Sequence, residues 1–307
     1  MGWTKPRALR RGDLIGVCAP SSPVEPERLQ AGVAALRDLG FEVRVAEGTL
    51  LRTGFTAGPA KDRLRDLHAL LADDDVRAVV FARGGAGAAA LLPGLDLSLL
   101  RAHVKPLVGY SDVTLLHLVL ARLEMVAFHG PMVAHELAAG TDDRKSLLWA
   151  LTGEGPPFAT EAGTLDALCP GTAEGRVLGG CLSLVAAAAG TPWAFTAEDD
   201  TILFLEDLNE RPYRIERLLF QLRHSGALDH VRGVVFGDLS SCAAPPGVGW
   251  TLEDVIRGAL DGLDVPVAAG LRSGHTQPNV TLPLGVRARL TCDGDGATFA
   301  YLESPLS

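Results

Sequence analysis

The chain alternates short apolar runs with stretches of helical periodicity. Arg77–Ala82, Thr201–Leu205 and Val231–Phe236 are almost unbroken hydrophobic runs. That is the pattern of strands buried on both faces. In the first half the predicted order begins with a strand at Asp13–Ala19, a helix at Pro26–Leu39 closed by Gly40, and a strand at Phe41–Ala46. A helix at Lys61–Leu71 and the strand Arg77–Ala82 follow, then a glycine-rich turn and a short helix to Leu92. Next come a strand at Val104–Tyr110, a helix carrying Val113, Leu116, Leu120 and Leu123, and an apolar stretch at Met125–Phe128. This β-α-β-α rhythm predicts a parallel sheet with helices on both faces. Ligands of such sheets bind outside the carboxyl ends of the strands. Pro20–Pro23, Gly84–Gly87 and Ser111 all follow strands and are expected to share that edge.

Residues 138–175 change character. They are rich in Gly, Pro and Thr, with one short helix around Lys145–Leu151, and read as a connection between domains. The expected domains are 1–160 and 172–307. The second half opens with Arg176–Gly180 and an alanine-rich helix, Leu182–Ala189. Strands at Thr201–Leu205, Val231–Phe236 and Val265–Ala268 alternate with helices at Tyr213–His224 and Leu252–Leu263. Val286–Leu302 reads as a hairpin turning at Asp293–Gly296. A mixed α/β domain with some antiparallel pairing is expected there.

Composition narrows the function classes. The chain has 307 residues, enough for two domains, and a formal net charge of −9. An acidic chain lacks the basic face of a nucleic-acid binder. No run of 18 apolar residues predicts a membrane span, and the basic stretch Met1–Arg11 lacks an apolar signal core. A cytoplasmic location is the expectation. Cys18, Cys169, Cys181, Cys242 and Cys292 are scattered, without a C-x-x-C pair, so reduced thiols are expected rather than disulfides or structural zinc.

Three residues carry the candidate chemistry. Ser111 lies in Gly109-Tyr-Ser-Asp112, between a strand and a helix. That placement fits a nucleophile elbow, although the last glycine of G-x-S-x-G is replaced by Val113; it equally fits a helix N-cap. Glu206 and Asp207 end the strand Thr201–Leu205, and a carboxylate there faces the ligand edge. Glu206 is preferred as the functional acid over a helix-capping role. His275 lies in the loop Gly270–Asn279 after a predicted strand. His129, also after an apolar stretch, is a candidate pocket residue, and His117 lies within a helix. No H-E-x-x-H occurs, so a metal-free site is expected. Serine, histidine and carboxylate together make a workable triad. The turn Arg83-Gly-Gly-Ala-Gly-Ala-Ala-Ala90 has two readings. Gly85-x-Gly-x-x-Ala90 permits a dinucleotide loop, while the N–H groups of Gly85 and Asp112 permit an oxyanion hole.

Taken as blocks, the residues resemble the LD-carboxypeptidase family of serine peptidases, which includes muramoyltetrapeptide carboxypeptidases and microcin C immunity peptidases. The similar segments are Lys5–Pro23, Arg83-Gly-Gly-Ala-Gly87, Lys105-Pro-Leu-Val-Gly-Tyr-Ser-Asp-Val-Thr114 and His129-Gly-Pro-Met132. They continue with Gly175–Ser183, Leu203-Phe-Leu-Glu-Asp207, Tyr213–Arg217 and Gly274–Gly285. The resemblance implies a flavodoxin-like amino-terminal domain, a smaller carboxy-terminal α/β domain and a site between them. It implies the triad Ser111, Glu206 and His275, with oxyanion donors at the backbones of Gly85 and Asp112. It implies a cytoplasmic homodimer that needs no cofactor and removes terminal D-alanine from an L-centre of a murein tetrapeptide. Peptidyl or aminoacyl nucleotides are the alternative substrates, and Trp193 a candidate stacking group. A nucleotide-binding protein without catalysis is a third reading. Ala86 and Cys181 depart from the family pattern, at a tyrosine and an asparagine position respectively.

Overall fold

The computed structural model describes residues 2–141, 143–161, 163–197 and 200–307. Asp142 and Ala162, within the predicted connection, lie outside the described residues. The first half contains β1 (Leu14–Cys18), α1 (Pro26–Asp38), β2 (Glu42–Val45), α2 (Ala60–Ala72), β3 (Val76–Phe81), α3 (Leu97–Ala102), β4 (Leu107–Gly109), α4 (Thr114–Arg122), β5 (Ala127–His129) and α5 (Arg144–Thr152). The second half contains β6 (Asp166–Cys169), β7 (Gly171–Cys181), α6 (Leu182–Ala187), β8 (Thr201–Glu206), α7 (Pro212–His224), β9 (Val231–Phe236), α8 (Leu252–Leu260), β10 (Val267–Ala269), β11 (Leu282–Leu284), β12 (Arg287–Asp293) and β13 (Gly296–Tyr301).

Among the described residues the strands form two sheets, ordered β11-β5-β4-β3-β1-β2 and β13-β12-β7-β8-β9-β10-β6. In the first, β2 to β5 and β1 pair in parallel in a common doubly wound order. The expected parallel sheet is present. The second runs parallel from β7 to β10, with β6 and the β12–β13 hairpin antiparallel at its flanks. The mixed second half and its hairpin turn also match expectation. β3, β8 and β9 carry the apolar runs and are almost wholly buried, because neighbours cover both faces.

The departures follow from local chemistry. The strand expected over Val104–Tyr110 shrinks to three residues, since Pro106 has no N–H to give to a ladder. The helix expected after the glycine turn is a 3-10 segment, Ala88–Gly94, containing Pro93. β7 starts at Gly171, inside the expected connection and before the Arg176–Gly180 opening of the second half. The pattern also gave no sign of α3, β6, β11 or a π-helical turn at Val133–Leu137. β11 pairs antiparallel with β5, so the first sheet takes a strand from the second half. Among the described residues no helix is long and apolar enough to cross a membrane.

Candidate active site

The site lies at the carboxyl ends of strands from both sheets. Gly84, Gly85, Ser111, Cys181, Asp207 and His275 line one cavity of about 400 Å³. The Pro20–Pro23 turn joins the same edge. Ser22 donates its N–H to Gly84 O at 3.1 Å and accepts the Ala86 N–H on Oγ at 3.1 Å.

Ser111 has φ +60°, a region an L-residue seldom occupies. It opens a 3-10 turn that leads into α4, and no side chain caps either segment. The N-cap alternative therefore loses its support. Strain of this kind is the mark of an elbow that lifts a hydroxyl off the backbone. The Gly85 and Asp112 N–H groups bond no protein acceptor among the described residues, and both residues line the cavity. The Asp112 carboxylate is buried and accepts the Ala88 N–H at 2.7 Å.

β8 delivers Glu206 to the same edge, fully buried. Its Oε2 accepts His275 Nδ1 at 2.7 Å and the His275 N–H at 3.3 Å. Burial pushes the Glu206 carboxyl up, against the opposing pull of His275. Burial alone would lower His275, but the Glu206 partnership outweighs it and raises the imidazole above its usual value. The loop reaches Glu206 because residue 274 is glycine. Its φ is +105°, and a Cβ there would stand 2.5 Å from Glu206 Oε2. The Gly274 N–H is tied to buried Asn279 Oδ1 at 3.0 Å, a support the motif reading passed over. Asp207 plays a different part: its carboxylate accepts the N–H groups of Ser183 and Leu208, at 2.7 and 2.8 Å.

Ser111 and His275 share the cavity without a direct hydrogen bond; among the described residues His275 bonds Glu206 alone. In unliganded sites that bond is often long and tightens with substrate.

Tyr110 is the main residue the pattern did not single out. Its ring meets His275 edge-on, centroids 4.9 Å apart, and its hydroxyl donates to Glu136 Oε1 at 2.6 Å. Glu136 also pairs with His135 Nδ1 at 2.6 Å, and His135 lines the cavity. The signal was present in the sequence as a second His-Glu pair after the His129 block.

His129 does not line the cavity. It is fully buried between Tyr110 and Phe204, and burial holds its imidazole neutral, well below the usual value. His117 is likewise a core residue, pulled down to about 3 by burial. Trp193 packs at the edge of the core, outside the cavity lining. Cys181 does line it: β7 pairs Cys181 with Glu206, and Thr114 Oγ1 accepts the Cys181 N–H at 3.0 Å. Burial keeps its thiol protonated. Ala86 is exposed and outside the lining. All five cysteines are free thiols. The turn before Ala88 leads into a 3-10 segment, so it lacks the α-helix N-terminus on which a dinucleotide fingerprint depends.

Comparison with known proteins identifies the chain. Residues 15–130 match the LD-carboxypeptidase N-terminal domain and residues 174–290 the LD-carboxypeptidase C-terminal domain. The chain belongs to the LD-carboxypeptidase family. As a member it is a peptidase, a hydrolase of the serine class. A probable murein peptide carboxypeptidase of Bacillus subtilis is 36% identical, covering 93% of this chain and 91% of the relative. The muramoyltetrapeptide carboxypeptidase of Oxalobacter formigenes superposes with a TM-score of 0.86 at 30% identity, over 95% of this chain and 99% of the other. The microcin C7 self-immunity protein MccF of Escherichia coli is 28% identical over 96% of this chain and 95% of its own length. MccF in complex with glutamyl sulfamoyl guanosine gives a TM-score of 0.88 at 25% identity, over 99% of both chains.

Proposed function

We propose that this LD-carboxypeptidase-family chain hydrolyses the L,D bond before a terminal D-alanine in murein tetrapeptides, through an acyl-enzyme. The observation that carries the reading is the pair of buried Glu206 and part-buried His275, with His275 and strained Ser111 both lining one cavity. His275 takes the Ser111 proton while Oγ bonds the scissile carbonyl carbon. The N–H groups of Gly85 and Asp112 hold the resulting oxyanion. His275 then gives its proton to the amine as the C–N bond breaks, and water, deprotonated by His275, hydrolyses the ester. Glu206 holds the tautomer and balances the imidazolium.

In this reading residues 1–160 form a flavodoxin-like domain with the nucleophile, and 172–307 a smaller domain with the acid and base. The enzyme works as a cytoplasmic homodimer on a small peptide, without a metal or other cofactor. The likeness to MccF supports a second substrate class, peptidyl or aminoacyl nucleotides.

Mass spectrometry of products from L,D-tetrapeptides and peptidyl adenylates decides between them. Tetrapeptide cleavage by wild type is expected. Ser111→Ala is expected to lose about 10³-fold or more in kcat with its fold intact. Turnover near the wild-type level in that variant would remove Ser111 from the mechanism.

A further inference from the structure

A peptidase that removes one terminal residue has to recognise a free carboxylate, and a desolvated carboxylate needs a cation or N–H donors. The described cavity lining offers Arg83, His135 and His275. Its own carboxylates are committed. Asp112 and Asp207 accept backbone N–H groups, and Glu210 pairs with Arg214. His275 is engaged with Glu206 and carries the reaction proton. Arg83 and His135 remain.

Their positions differ with respect to the reaction. Arg83 adjoins Gly84 and Gly85, on the side proposed for the oxyanion, and gives one guanidinium N–H to Pro23 O at 3.0 Å. His135 lies on the side of His275. One tyrosine spans the two: the Tyr110 ring meets His275 at 4.9 Å, and the Tyr110 hydroxyl stands 3.4 Å from His135 Nδ1. His275 protonates the leaving amine, so the leaving residue occupies that side. Its carboxylate is one carbon away from the amine.

We infer that His135, fixed by Glu136 and Tyr110, is the subsite for the terminal carboxylate of the residue removed. Its side chain is 48% exposed and lines the cavity, with Nδ1 turned to Glu136 and, among the described residues, no protein hydrogen bond at Nε2. With Nδ1 held on Glu136, its Nε2–H donates to the substrate carboxylate. Glu136 is 1% exposed and held by the Tyr110 hydroxyl at 2.6 Å and the Met132 N–H at 3.0 Å, so the pair is a rigid fixture. The residues sit on a π-helical turn, a rare geometry that re-aims side chains and is frequent at functional sites. This subsite rests on the carboxypeptidase reading above.

The test measures kcat/KM for an L,D-tetrapeptide as free acid and as terminal amide, in wild type, His135→Gln and Arg83→Gln, with melting temperatures as a folding check. Wild type is expected to prefer the acid by about 10- to 100-fold, the range of one charge-assisted hydrogen bond. His135→Gln brings the ratio near one, chiefly through KM for the acid, while Arg83→Gln keeps it. An unchanged ratio in His135→Gln, or a collapse in Arg83→Gln instead, overturns the subsite. Wild-type cleavage of acid and amide alike overturns it too and leaves the L,D-peptidase reading standing. Cleavage of neither peptide removes both.

Discussion

At the scale of single residues, the proposed mechanism makes the Glu206–His275 pair set the pH dependence. In the proposed mechanism His275 accepts the Ser111 proton only when neutral, and the Glu206 partnership outweighs burial and raises the imidazole above its usual value. Catalysis through this imidazole is thus lost as pH falls, and kcat/KM should rise with pH through a midpoint above that of an ordinary imidazole. Glu206→Gln leaves burial as the dominant influence, which lowers an imidazole pKa. The acid limb should move to lower pH while kcat drops by about 10³- to 10⁴-fold. A pH–rate profile of both proteins checks this; an unmoved limb would detach Glu206 from His275. Gly274→Ala tests the same contact from the backbone. Its Cβ would stand 2.5 Å from Glu206 Oε2, so activity should fall at least about tenfold as the pair is displaced. Ser111 shows how far single residues were legible. Its strand-to-helix seam was visible, but the absence of a side-chain cap on that helix and its φ of +60° were not.

Elements were legible where burial is symmetrical and length adequate. β3 and β9 read directly from their apolar runs because both faces are covered. The π-helical turn did not, because five residues of mixed polarity carry no period. That turn is placed by tertiary contact. α1 lies so close that a Cβ on Gly32 would stand 1.8 Å from Val133 O, and Arg28 Nε donates to Ala134 O at 3.0 Å. Gly32→Ala must therefore push α1 away from the segment bearing His135 and Glu136. Overpacking of this kind costs about 1–3 kcal/mol. Urea unfolding should register that loss together with a raised KM. A variant as stable as wild type would mean that α1 does not set the turn.

For the whole molecule, the decisive feature is β11. Its three residues include Pro283, tolerated because β11 is the edge of its sheet. Nothing in so short a run announces a strand, and the two-domain expectation did not foresee that it would complete the first sheet. Other ties cross the same divide. Lys5 pairs with Glu303 at 2.8 Å, and Thr114 accepts the Cys181 N–H. The core is one continuous apolar cluster drawn from both halves. Two halves joined this way should unfold together, since losing β11 uncovers the Ala127–His129 edge and exposes the apolar face beneath it. In urea, far-ultraviolet circular dichroism and tryptophan fluorescence should give coincident transitions, because Trp3 and Trp149 report on one half and Trp193 and Trp250 on the other. A fragment of residues 1–160 should be insoluble or bind a hydrophobic dye. Two separated transitions, or a soluble and cooperative fragment, would show that the catalytic halves fold independently and that β11 is only an ornament of the edge. Coincidence would mean that the cleft holding Ser111 and His275 exists only in the completed chain.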